Sequence, residues 1–101
     1  MNTRKTIVEI RKTLRKMFWE HWDPIGVNND PHAVGEYDSY ADEVTSFIIN
    51  SRVVDESKIQ KYLRCVMYDH MGLSFSAELE NTTEQFEKKL ISFWKKIKEQ
   101  T

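Results

Sequence analysis

Apolar residues in this chain return every three or four positions along almost its whole length, and no other feature constrains the fold as strongly. Side chains at i, i+3, i+4 and i+7 share one side of an α-helix, whereas a half-buried strand would alternate. In the first segment Ile7, Ile10, Leu14, Met17 and Phe18 make such a stripe, with charges on the other face. Thr6 followed by Glu9 has capping-box spacing, and Asn2 or Thr3 offers an earlier start. This helix is expected to run to about His21 and to stop by Asp23, because the residue before Pro24 is biased out of helical torsions.

Three further helices follow from the same period. The second is expected near Glu36, with Tyr37, Tyr40, Ala41, Val44, Phe47 and Ile48 on its apolar side and an end around Ser51. Asp55 is placed to cap a third, whose stripe is Ile59, Tyr62, Leu63, Val66 and Met67 with His70, closed by Gly72. Thr82 with Gln85 repeats the capping-box spacing and predicts a fourth helix carrying Phe86, Leu90, Phe93, Trp94 and Ile97. The connector LSFSAELEN, 73–81, has room for one extra turn. With no internal repeat or low-complexity run, the chain is expected to form a single all-α domain over 1–101. The expected architecture is a small four-helix bundle with a long structured loop between the first two helices.

That loop lies within WDPIGVNNDPHAVGEYDSY, 22–40, which holds both prolines and two of the three glycines. Pro24 and Pro31 fix backbone torsions, Gly26 and Gly35 open turns closed to other residues, and Asn28, Asn29 and Asp30 hydrogen-bond locally. Trp22, Ile25, Val27, Ala33 and Val34 are spaced to tuck beneath it, with Trp22 and Tyr40 as candidate core. Such a compact loop either lids the end of the bundle or presents binding residues.

Charge narrows the function classes. The net charge of −1 excludes a uniformly basic nucleic-acid binder, yet the signs are segregated. Between Met17 and Ser51 there is no Lys or Arg, while Glu20, Asp23, Asp30, Glu36, Asp38, Asp42 and Glu43 are acidic. Lysines and arginines gather at the two ends of the chain. No apolar run approaches the roughly 20 residues that cross a bilayer. The basic N-terminus lacks the unbroken apolar core of a secretion signal. One cysteine, Cys65, forms no internal disulfide, and a cytoplasmic location is expected.

Catalytic patterns are missing from the sequence. His21, Asp23, Asp30 and His32 fall close together but match no compact metal motif, so no metal or cofactor is expected. Cys65 sits in the middle of a helical stretch, where no dipole end lowers a thiol pKa, and reads as a structural or surface thiol. Lys88, Lys89, Lys95, Lys96 and Lys98 interleave with Phe93 and Trp94, but those aromatics lie on the apolar stripe, so the lysines read as a solvated face. Trp19, off the stripe of its helix, either marks a contact surface or packs under the loop.

The stretches Trp22-Asp23-Pro24-Ile25-Gly26-Val27, Glu36-Tyr37-Asp38-Ser39-Tyr40, Tyr62-Leu63 and Met71-Gly72-Leu73 together resemble the signature of a family of small bacterial all-helical proteins. Some members are immunity proteins paired with toxin domains, including those of contact-dependent growth inhibition systems. The resemblance covers about residues 17–73, departs from the pattern at Gly35 and over 50–54, and brings no catalytic residues. It implies a non-enzymatic protein that neutralises the C-terminal domain of a cognate toxin by direct contact. Many such toxins are nucleases with basic, phosphate-holding sites, which an acidic surface complements. Asp23, Asp30, Glu36, Asp38, Asp42 and Glu43 are the candidate charges, Asp42 and Glu43 foremost, with Tyr37 as an aromatic anchor. The alternative class is a helical adaptor or regulatory module with another protein partner. Neither reading calls for direct nucleic-acid or membrane binding, and the oligomeric state stays open.

Overall fold

A computed structural model of the chain describes residues 3–99. Among these residues the secondary structure is entirely helical, in the order α1, Thr3–Met17; α2, Asp38–Asn50; α3, Glu56–Arg64; and α4, Ala77–Glu99. The chain divides into two compact units, Met1–Asn50 and Ser51–Thr101, each holding two of the four helices.

In the first unit α1 starts at Thr3, ahead of the Thr6–Glu9 box; Asn2 lies outside the described residues. Ile10, Leu14 and Phe18 are buried as the period predicts, and each such side chain removed from water is worth about 1.5–3 kcal/mol. Beyond Met17 the helix widens into a π-turn, Phe18–Trp22, closed by the Asp23 N–H donating to the Phe18 carbonyl at 3.2 Å. Phe18 and Trp22 are both buried and meet edge to face, with centroids 5.5 Å apart. Asp23 ends the helix in the left-handed region, φ 42°, a conformation that Asp tolerates better than most residues.

The second helix starts at Asp38, two residues later than Glu36, because a turn bond from the Asp38 N–H to the Gly35 carbonyl still occupies the approach. Ala41, Val44 and Ile48 are buried as expected. Tyr37 joins them at 1% exposure, while Tyr40 is only half-buried, so Tyr37 rather than Tyr40 is the core tyrosine. Thr45, unforeseen by an apolar count, is buried because its hydroxyl donates to the Ala41 carbonyl at 2.9 Å, which satisfies the group within the helix.

In the second unit Asp55 caps α3 as expected, its carboxylate accepting from the Lys58 N–H at 3.0 Å. Ile59, Leu63, Val66 and Met67 are buried, but His70 is exposed, contrary to its place on the predicted stripe. The cause is a second π-turn, Cys65–His70, whose extra residue per turn rotates His70 off the line of Met67. Gly72, at φ +67°, then turns the chain so that the Leu73 N–H reaches back to the Met67 carbonyl at 2.9 Å.

The largest correction concerns α4. It begins at Ala77, not Thr82, because Ser76 is the cap: its hydroxyl accepts from the Leu79 N–H at 3.0 Å and its carbonyl from the Glu80 N–H at 3.0 Å. Glu78 and Glu80 in the first turn suit the positive end of the dipole. Thr82 and Gln85 are simply exposed positions inside the helix. Phe86, Leu90 and Trp94 are buried as predicted, with Phe93 and Ile97 half-buried. The helix also buries Thr83 and Glu87, two polar residues that the stripe omits. Thr83 donates to the Met67 sulfur at 3.1 Å. Arg64 of α3 pairs with Glu87 and reaches Glu80 at 3.1 Å, and Glu80 accepts a short hydrogen bond from the Tyr68 hydroxyl.

Candidate functional site

The 23–37 loop is a run of consecutive tight turns. N–H groups of Gly26, Asp30, Ala33, Glu36 and Asp38 donate to carbonyls three residues back, at Asp23, Val27, Asp30, Ala33 and Gly35, all at 3.0–3.1 Å. A 3-10 turn, Pro31–Ala33, sits in the middle, capped by Asp30, whose carboxylate accepts from the His32 N–H at 2.9 Å. Every reversal is therefore held by the loop's own backbone, which is why it needs no regular element.

One side chain gathers these turns. Asp23 Oδ1 accepts from the Val27 N–H at 2.8 Å and from the Tyr37 hydroxyl at 2.7 Å, and Oδ2 accepts from the Asn28 N–H at 3.2 Å. The Tyr37 oxygen in turn accepts from the Ile25 N–H at 3.4 Å. Burial and the bond to Asp23 push the Tyr37 phenol well above its ordinary pKa, so it stays a donor at any physiological pH. Trp19 and Trp22 flank the Tyr37 ring at centroid distances of 6.0 and 6.3 Å. Trp19 thus packs against the loop's anchor, and its carbonyl accepts from the Asn28 side-chain amide at 3.4 Å.

This arrangement redistributes the residues the sequence nominates for a partner. Tyr37 is buried with its hydroxyl engaged, so its ring belongs to the loop's packing and not to an exposed anchor. Asp23 is the internal acceptor and Asp30 an exposed local cap. Asp42 receives a forked pair of bonds from Arg15, Nε at 2.9 Å and Nη2 at 2.7 Å, and Asp38 lies 3.7 Å from Nη1 of the same guanidinium. That hydrogen bond holds the Asp42 carboxyl below its ordinary range and raises Arg15. Glu36 and Glu43 are exposed and, with Glu20, form no ion pair among the described residues. Glu43 stands in the exposed row Ser39, Glu43, Ser46, Asn50, spaced i, i+4, i+7 and i+11 along α2.

The acids that stay exposed are therefore Glu20, Asp30, Glu36 and Glu43, with Asp38 and Asp42 tied to Arg15. Glu20 was foreseeable, since it falls opposite the buried Phe18 and Trp22. The Arg15–Asp42 pair was not, because 27 residues separate its members and neither carries a local signal. Two loop residues expected beneath the surface lie on it instead: Val34 is 70% exposed and Ile25 37%.

The remaining candidates are exposed side chains or core. His21 and His32 are exposed, and among the described residues no group of three or more His, Cys, Asp or Glu side chains is placed to hold a metal ion. Cys65 is exposed, and partial desolvation and Asp69 raise its thiol pKa, which disfavours the nucleophilic thiolate. Lys88, Lys89, Lys95 and Lys96 are exposed while Trp94 is fully buried. No described helix is long and apolar enough to cross a membrane.

In comparison with known proteins, no family model matches the chain, no curated protein matches it and no solved structure matches it.

Proposed function

We propose that this protein is a cytoplasmic, non-enzymatic immunity protein that binds a toxin domain of the nuclease class and neutralises it by direct contact. The observation that carries this reading is electrostatic. Glu20, Glu36 and Glu43 are exposed and unpaired among the described residues, within a stretch that has no Lys or Arg to answer them. A surface of one sign on ordered elements speeds and steers association with a surface of the opposite sign, and a phosphate-holding active site is such a surface. The resemblance of 22–27, 36–40, 62–63 and 71–73 to a family of small bacterial helical proteins, some of them immunity proteins, supports the same reading. Asp23 and Tyr37 enter it as the residues that order the loop, and Glu36 and Glu43 as those that meet the partner.

The test is calorimetric titration of the protein with the C-terminal domain of the polypeptide encoded immediately upstream. One-to-one binding that weakens with salt is expected, and Glu36→Lys with Glu43→Lys should weaken it by roughly tenfold or more. No binding to that domain, or binding indifferent to both salt and the charge reversals, would overturn the proposal. Asp42→Lys is a poor probe, because it breaks the pair with Arg15 as well as any outward contact.

A further inference from the structure

The exposed side of α1 carries a feature that an acidic partner-binding surface does not use. Val8, Arg11, Lys12 and Arg15 recur at i, i+3, i+4 and i+7 and line an open hollow of about 270 Å³. Among the described residues no carboxylate lines it. Arg15 is held in one pose by the forked bond to Asp42, which occupies Nε and Nη2. A guanidinium has five N–H donors, so the pair leaves it donors to spare. Asp38, 3.7 Å from Nη1, is its other carboxylate neighbour. Arg11 and Lys12 form no ion pair among the described residues. Asp42 thus answers Arg15 and also faces Arg11, so three cations meet two carboxylates of α2 and the hollow keeps a net positive charge beside a positioned guanidinium. Val8, 48% exposed, supplies an apolar wall.

The geometry points to a binding site for a phosphomonoester dianion on this side of α1, with Arg11 and Lys12 neutralising the phosphate and Arg15 fixing its orientation. Arg11, Lys12 and Arg15 outnumber the two carboxylates, Asp38 and Asp42, that face this side of α1, and planar guanidiniums suit phosphate oxygens in particular. The hollow exceeds a bare phosphate, so the ester's organic portion has room against Val8. The lining comes from α1, with Arg15 posed by Asp42 of α2, and the site stands or falls independently of toxin binding.

The experiment is an amide-resolved NMR titration of the full chain at constant ionic strength with glycerol phosphate. A second arm uses an oligonucleotide without terminal phosphates. Saturable shifts confined to the 8–15 backbone are expected with glycerol phosphate. Arg11→Gln with Lys12→Gln should weaken binding by about tenfold or more, as loss of charge-assisted hydrogen bonds requires. Lys95→Gln with Lys96→Gln should leave it unchanged. Circular dichroism confirms that both variants keep their helicity. Non-saturating shifts, or equal losses from the α1 and α4 variants, would mean diffuse charge screening and overturn the site. Tighter binding of the oligonucleotide at the same residues would also overturn it, by assigning the hollow to phosphodiester backbone.

Discussion

Asp23 and Tyr37 show how two residues order a fifteen-residue loop between α1 and α2. Removing the phenol oxygen leaves Asp23 Oδ1 one donor short and the Ile25 N–H without its acceptor. Tyr37→Phe is therefore expected to lower stability by about 1–3 kcal/mol, read from urea unfolding. It should leave the ring packing against Trp19 and Trp22 in place, which near-UV circular dichroism checks. The Arg15–Asp42 pair makes a prediction in pH. Because Arg15 depresses the folded pKa of Asp42, the pair stabilises above the unfolded carboxyl value of about 3.9 and is lost as pH falls through the folded value. Both side chains are more than a third exposed, so solvent screening limits the effect to about 0.2–1 kcal/mol. Asp42→Asn should remove that increment at pH 7 and flatten the acid limb of the stability curve.

Helix ends carry the next scale. Two sequence signals compete to start α4, and the structure chooses Ser76 over Thr82. Ser76→Ala is expected to cost about 0.5–2 kcal/mol, as loss of an N-cap does, while Thr82→Ala should change stability by no more than about 0.5 kcal/mol. Equal effects in thermal melts would contradict the observed start. Between α3 and α4 the buried Glu87 depends on Arg64. Arg64→Met should cost about 3–5 kcal/mol by leaving a buried carboxylate without its cation, and adding Glu87→Met should recover most of the loss. The capping box misled because its spacing is short and arises by chance inside helices. The stripes succeeded because several positions agree. They failed at His70, where a π-turn changes the period without any residue announcing it.

Across the whole molecule, opposite charges are segregated along the chain, and the fold answers only part of the imbalance. Arg15 engages Asp38 and Asp42, and Glu20, Glu36 and Glu43 remain outward. Replacing those three glutamates with glutamine is expected to leave folding stability within about 0.5 kcal/mol, since they are exposed and make no ion pair among the described residues. If the proposed immunity function holds, the same variant should slow association with the toxin domain and reduce its salt dependence, measurable by stopped-flow mixing at two ionic strengths. Slower association without a change in stability separates a partner-facing role from a structural one.

The all-helical class, the four helices, the Asp55 cap and most of the core, from Leu14 to Trp94, are written in the sequence, because these follow from local spacing and capping chemistry. So is the acidic, lysine-free middle. The folded chain selects which of those acids face outward. It set Asp23 beneath a buried Tyr37, joined Arg15 to Asp42 across 27 residues and brought Glu87 inside against Arg64. Each of these depends on a long-range hydrogen bond or ion pair, whose partner no local period specifies.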